Sequence, residues 1–217
     1  ASGYYVYLPA TFIYHWSPEG MPHNIDTITG QGFILRNNKS QIFTKYTCGQ
    51  SYLHLPFFLA AHAYCKLAGI PADGFAQPYV TSIIVAGVFY MLAGLFLIYF
   101  VLRKYYSHPA CLATVIGLFF CTNLYYYGIK HPGLSHIYSF FLVGLMLYLT
   151  QHFTPKKLIA LIVLSALLVS IRPTNITLPL MVLVFGFIIH GKNILKEVSL
   201  KYYVLGIVLG LLICFPQ

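Results

Sequence analysis

Acidic residues are almost missing from this chain: Glu19, Asp26, Asp73 and Glu197 are the only four carboxylates among 217 residues. Charged residues of both signs reach only 8%, against 59% hydrophobic, which is too little charge to cover a water-facing surface. A soluble domain is excluded on that ground. Cysteine is sparse and unpatterned. Cys48, Cys65, Cys111, Cys121 and Cys214 show no CxxC spacing and three of them sit in apolar runs, so neither a disulfide nor a metal framework is expected. The 13 Lys and Arg residues are dispersed and form no stripe, which argues against nucleic acid as a partner.

What the chain has in quantity is long apolar runs. Crossing ~30 Å of hydrocarbon takes ~20 helical residues, and three runs meet that length: 79–102, 110–127 and 134–150. Two shorter ones, 158–171 and 176–189, reach about 21 Å each at ~1.5 Å per residue. They span if Lys156, Lys157 and Lys192 snorkel, or they pair as a re-entrant hairpin. A sixth run starts at Tyr203 and is still apolar at Gln217. The fold expected is all-α, a polytopic transmembrane helix bundle of about six spans over 79–217. Because the first residue is Ala1 and the last run is open, we expect an N-terminal portion of a longer chain, truncated at its C-terminus.

Basic residues in short loops accumulate on the cytoplasmic side of a membrane. Arg103, Lys104, Lys156, Lys157, Lys192, Lys196 and Lys201 fall in one set of loops, whereas Lys130 and Arg172 alone occupy the other. Residues 1–78 then lie outside the cytoplasm together with loops 128–133 and 172–175. A first outer loop of that length is long for a connector and points to function. Its mixed aromatic, His and aliphatic stretches, 4–16 and 52–68, suit interfacial helices. Were 52–68 a true span, the side assigned to residues 1–50 would invert.

Within VSIRPTNITLP, Arg172 carries a permanent charge between two apolar runs. Pro173 cannot continue a helix, so Arg172 marks the point where one helix stops, and Thr174 offers a hydroxyl cap to the next. An arginine beside a helix N-terminus makes an anion pocket, although an interfacial anchor capping a tight turn would have the same composition. The other outer loop, YYYGIKHPGLSHIYSFF, repeats the pattern: Lys130 and His131 precede a Pro-Gly break, and Ser135 and His136 open the following helix. Tyr125, Tyr126, Tyr127 and Tyr138 fit an interfacial aromatic belt or a sugar-stacking wall. His131 and His136 are poorly spaced for metal and no carboxylate adjoins them. Gly206 and Gly210 form a GxxxG suited to helix packing. The glycosylation tripeptides Asn38-Lys39-Ser40 and Asn175-Ile176-Thr177 are too common a pattern to interpret.

The YYVYLP opening, the loop segment KYTCGQSYLHLPFF, the SHIYSFF helix start and the RPTN turn, in that order, resemble the GT-C class of membrane glycosyltransferases. The resemblance is to bacterial relatives of protein O-mannosyltransferases and of lipid A aminoarabinose transferase. It implies transfer of a sugar from a polyprenyl-phosphate donor to a protein or glycolipid acceptor on the non-cytoplasmic face, here with residues 1–78 periplasmic at a bacterial inner membrane. Arg172, Lys130, His136 and Lys45 would bind the donor phosphate, and Tyr4, Tyr5 and Tyr7 would line the sugar or acceptor site. A carboxylate base is required by such a displacement. Family members carry it just ahead of the tyrosine cluster, where this sequence begins with Ala1-Ser2-Gly3; among the acids present, Asp26 is the substitute, with a turn-forming Asp as the bland alternative. Glu19 and Asp73 read as turn residues. No ligand set for a divalent cation is identified. The competing classes are a noncatalytic membrane subunit, or degenerate relative, and a lipid or solute transporter; the spans contain no Asp or Glu, which disfavours transport.

Overall fold

The computed structural model describes residues 3–22, 24–29, 32–36, 41–191 and 198–215. It is mostly helical. An N-terminal module holds α1 (Gly3–Phe12), the short α2 (Ile25–Ile28), a hairpin of β1 (Phe33–Arg36) and β2 (Gln41–Thr44), and α3 (Gly49–Ala68). The remainder comprises α4 (Gln77–Arg103), α5 (His108–Phe120), α6 (Asn123–Ile129), α7 (Ser135–Gln151), α8 (Lys157–Ile171), a 3-10 turn (Pro173–Ile176) that leads into α9 (Thr177–His190), and α10 (Leu200–Cys214). Two helices are long and apolar enough to cross a membrane, α4 and the continuous segment Pro173–His190. The bent pair α5 and α6 makes a third if it is counted as one span.

The apolar runs coincide with α4, α7, α8 and α9 to within two residues. Against about six expected spans, two helices, or three with the bent pair, have the length and apolarity to cross, since the other apolar runs fold as helices of 17 residues or fewer. Two further features differ from expectation. The run 110–127 is not one helix, because α5 and α6 meet at a 63° bend. Thr122 makes the break: its hydroxyl donates to the Leu118 carbonyl at 2.6 Å and accepts the Leu124 N–H at 3.1 Å, satisfying both severed ends. The segment 1–78 is also not all-α. β1 and β2 pair antiparallel with Phe33 opposite Thr44 and Leu35 opposite Ile42. Phe33 is fully buried against Val6, Met21 and Ile25, which is what anchors so short a ribbon. At the end of α1, His15 and Trp16 take left-handed φ values of 49° and 59° and turn the chain away. The tripeptide Asn38-Lys39-Ser40 lies outside the described residues.

Chain directions follow from specific contacts. α4 and α7 run parallel, with Gly87 against Pro132, the Tyr90 and Tyr138 rings 5.4 Å apart, Gly94 against Phe140, and Gln151 Nε2 donating to the Val101 carbonyl at 3.1 Å. α9 runs with α7, since Asn175 Nδ2 reaches Ser139 Oγ at 3.0 Å and His190 Nε2 reaches the Thr150 carbonyl at 2.8 Å. α10 runs with α8: Gly206 sits on Ile162 and Gly210 on Ala166, close approaches that only a missing side chain permits. Successive apolar segments therefore alternate in direction. One end of the helical body collects Arg103, Lys104, Lys156, Lys157 and Lys201, and the other carries Lys130 and Arg172. Lys192 and Lys196 lie outside the described residues.

α4 is 27 residues long, about 40 Å, and so exceeds a ~30 Å hydrocarbon layer. The N-terminal half of α4 carries the N-terminal module. α3 packs antiparallel on it, with the Tyr90 hydroxyl donating to the Leu53 carbonyl at 3.0 Å and His62 Nδ1 2.6 Å from the Tyr79 hydroxyl. The buried start of α3 rests on the end of α8: a Cβ on Gly49 would lie 2.3 Å from the Ser170 carbonyl carbon. Backbone cannot retreat as a flexible side chain can, so Gly49→Ala should destabilise the protein by about 1–3 kcal/mol. Gly117→Ala, where an added Cβ meets nothing within 4 Å, should leave stability unchanged or slightly raised. Thermal unfolding of the detergent-purified variants checks this; equal midpoints for the two would contradict the close approach.

Candidate functional site

Proline breaks leave carbonyl groups without a helical partner, and an unpaired carbonyl away from water costs several kcal/mol. The two breaks at Pro132 and Pro173 are repaired by side chains. Thr47 Oγ1 donates to the Ile171 carbonyl at 2.7 Å, and Gln50 Nε2 donates to the Gly133 carbonyl at 2.7 Å. The Tyr138 hydroxyl covers the Pro132 carbonyl at 3.1 Å, and Asn175 Nδ2 adds a second donor, at 3.1 Å, to the Leu168 carbonyl that already accepts the Arg172 N–H at 3.3 Å. Residues 46–50 are thus wedged between the two turns. The expected Thr174 cap is not formed, for α9 has Ile176 at its N-cap without a side-chain bond, and Asn175 does the bonding instead. Thr47, Gln50 and Asn175 are structural participants that no motif role had singled out; the visible signal was only a Thr and a Gln heading an apolar helix.

This wedging brings Arg172 and His136 together. Arg172 Nη1 lies 3.3 Å from His136 Nε2, a hydrogen bond only if His136 is neutral with its proton on Nδ1. The Tyr127 ring stacks on the imidazole at 4.2 Å and 21°, which fixes its plane. His136 is the second residue of α7, whose N-terminus has Leu134 at the cap and no side-chain capping bond. Guanidinium donors therefore stand beside free backbone N–H groups and the positive end of a 17-residue helix. That arrangement suits an oxyanion, and phosphate oxygens above all.

Lys130 lies at the same end but faces a neighbouring space. It is exposed and, with His131, lines a cavity of about 490 Å³ that Tyr46, Thr29 and the α4 residues Val80 and Ile84 complete. Arg172 is not among the described residues of that lining. His131 Nε2 contacts the Tyr126 hydroxyl at 3.0 Å, so successive tyrosines of α6 each hold one histidine, Tyr126 the cavity residue His131 and Tyr127 the Arg172 partner His136. Lys45 is exposed with its ammonium 5.5 Å from the centre of the Tyr46 ring. Tyr4 stands 4.6 Å from that ring, and the Tyr7 hydroxyl donates to the Tyr46 carbonyl at 2.6 Å. Tyr5 points the other way. It is buried, its hydroxyl donates to the Gly74 carbonyl at 2.7 Å, and burial pushes its ionisation well above the ordinary tyrosine range.

Asp26 is exposed on α2, where its Oδ1 accepts from Thr27 Oγ1 at 3.4 Å. It lies one helical turn from Thr29 on the cavity wall. Asp73 has the turn role its sequence suggested, accepting the Phe75 and Ala76 N–H groups at 2.8 and 2.9 Å ahead of α4. Among the described residues no group of three His, Cys, Asp or Glu is placed to hold a metal ion.

Behind the two turns, Gln50 and His54 form a buried polar pair with Nε2 atoms 3.1 Å apart. Gln50 Oε1 and His54 Nδ1 are buried without a hydrogen-bond partner. Burial pushes the His54 pKa down from 6.5 to about 3. In the unfolded chain the ring takes its proton first as pH falls, so the neutral ring's contribution is complete above about pH 6.5 and is lost on the way down to about 3. Folding stability should decline below pH 6.5 by at most about 1.4 kcal/mol per unit from this residue, and His54→Asn should flatten the slope. Melting temperatures in detergent between pH 7.5 and 5 measure it; an identical slope in both proteins would remove His54 from the account. Compared with protein-family models, with curated proteins and with solved structures, the chain matches none.

Proposed function

We propose that the chain is a polytopic glycosyltransferase of the GT-C type, moving a sugar from a polyprenyl-phosphate donor to a protein or glycolipid acceptor at the non-cytoplasmic face of a bacterial inner membrane. One observation carries this reading: the Arg172 guanidinium is joined to His136 at the uncapped start of α7, on the end of the molecule that also bears Lys130 and the N-terminal module. The acceptor hydroxyl oxygen attacks the anomeric carbon, the bond from that carbon to the phosphate oxygen breaks, and the polyprenyl phosphate leaves with the added negative charge. Arg172 and His136 hold that charge through directed N–H donors where water is scarce, and Lys130 adds a positive field from the adjoining cavity. Asp26 is the carboxylate assigned to accept the hydroxyl proton. Two-sided access follows, because a lipid phosphate arrives laterally in the membrane and an acceptor arrives from the module side.

A second reading is a noncatalytic membrane subunit that binds lipid phosphate without transfer. It is favoured by the exposure of Asp26, whose carboxylate engages Thr27 and not the Arg172 pair among the described residues. The variants separate the two. Arg172→Ala should lower transfer in membranes by ~100-fold or more at unchanged protein level, by analogy with loss of one donor to a developing oxyanion. Asp26→Asn should lose transfer while keeping donor binding. Radiolabelled polyprenyl-phosphate sugar, followed to product by mass spectrometry, gives both numbers; a fully active Arg172→Ala protein overturns the phosphate role, and an absence of any transfer by the unaltered protein favours the subunit.

A further inference from the structure

The cavity that Lys130 lines has a chemistry of its own. Its volume of about 490 Å³ falls in the range of roughly 300–1,000 Å³ typical of ligand pockets. The wall is divided. Lys130 and His131 lie on one side, and Val80, Ile83 and Ile84 of α4 form the other. Tyr46 closes the top as a flat ring held in place: a Cβ at Gly3 or Gly32 would come within 2.3 or 2.4 Å of its ring carbons, so the ring occupies a slot that two glycines open. No carboxylate is among the described lining residues. Of the two hydroxyls in the wall, Thr29 Oγ1 is already committed, donating to the Ile25 carbonyl at 2.7 Å and accepting the Phe33 N–H at 3.1 Å, and the other is the Tyr46 phenol. The one permanent charge among the described lining residues is the Lys130 ammonium.

Outside the cavity the apolar wall continues. Val80 is 42% exposed, Ile84 46% and Ile129 49%, a strip of aliphatic surface leading from the charge along the side of α4. A free anion would have no use for that strip, and a neutral apolar molecule would have none for the ammonium. We infer that this cavity binds the headgroup of a phosphate-bearing amphiphile, with phosphate at Lys130 and hydrocarbon along Val80 and Ile84. The commitment is to a membrane phospholipid of net negative charge. This site is separate from the Arg172–His136 position, and it stands whether or not the protein transfers sugar.

The test is native mass spectrometry of the detergent-purified chain titrated with phosphatidylglycerol, phosphatidylcholine and inorganic phosphate. Phosphatidylglycerol should bind the unaltered protein, and Lys130→Gln should weaken it about five-fold, the effect of one interfacial cation worth ~1 kcal/mol. Arg172→Gln should leave that binding unchanged even where it abolishes transfer, so that failure here and failure of the transferase reading are told apart. Ile84→Ser, which removes apolar surface without adding charge, should weaken phosphatidylglycerol and spare inorganic phosphate. Equal affinity of Lys130→Gln and the unaltered protein overturns the proposal, as does phosphatidylcholine binding as tightly as phosphatidylglycerol. Inorganic phosphate binding as tightly as the lipid overturns the lipid assignment and makes this a site for the free ion.

Discussion

The structure depends on one constraint: a carbonyl exposed by a broken helix has to find a donor where water is scarce. Pro132 and Pro173 interrupt the chain at the same end of the molecule, and each interruption frees carbonyl groups. Thr47 and Gln50 answer one carbonyl at each break, while Tyr138 answers that of Pro132 and Asn175 adds a donor to that of Leu168. Because Thr47 and Gln50 belong to one stretch of four residues, the two turns are tied to each other through the N-terminal module. The separation between them is then set by covalent geometry and not by loop flexibility.

The placement of charge follows from that tie. Arg172 can sit at the end of an apolar helix because it lies at the molecule's edge and is paired with a neutral imidazole. The imidazole is in turn held by Tyr127 and by its position in the first turn of α7. Scarcity of carboxylates matters here. With only four acids in the chain, Lys130 and Arg172 have no carboxylate partner among the described residues, and their potential is available to an anionic ligand. Successive tyrosines of α6 hold His131 in the wall of the Lys130 cavity and His136 of α7 beside Arg172, and neither Arg172 nor His136 is among the described lining of that cavity.

Small residues serve the same constraint from the other side. Gly49 lets the start of α3 lie directly on the backbone of Ser170, Gly87 lets α4 lie on Pro132, and Gly206 with Gly210 brings α10 onto α8. Without these approaches the donors at Thr47 and Gln50 would stand too far from their carbonyls. Packing and polar satisfaction are therefore one requirement at this end, and a single added methyl group tests both.

Much of the architecture was legible in the residues alone. The positions of α4, α7, α8 and α9 follow from apolar run length, the break between α8 and α9 from Pro173, and the segregation of cations to two ends from the alternation of loops. That the last apolar run packs closely on another helix was legible too, since Gly206 and Gly210 are spaced one helical turn apart; that the partner is α8 was not. What the sequence could not specify was register between distant segments. That Arg172 meets His136 and not Lys130, that Tyr4 and Tyr7 close on Tyr46 while Tyr5 turns into the core, and that Gln50 reaches Gly133 are decided by which carbonyls and slots remain open once the helices pack. The β1–β2 hairpin and the break at Thr122 escaped for a related reason: four-residue strands and a single capping hydroxyl carry too little periodic signal, and only burial of Phe33 and pairing of the Leu118 carbonyl make them favourable.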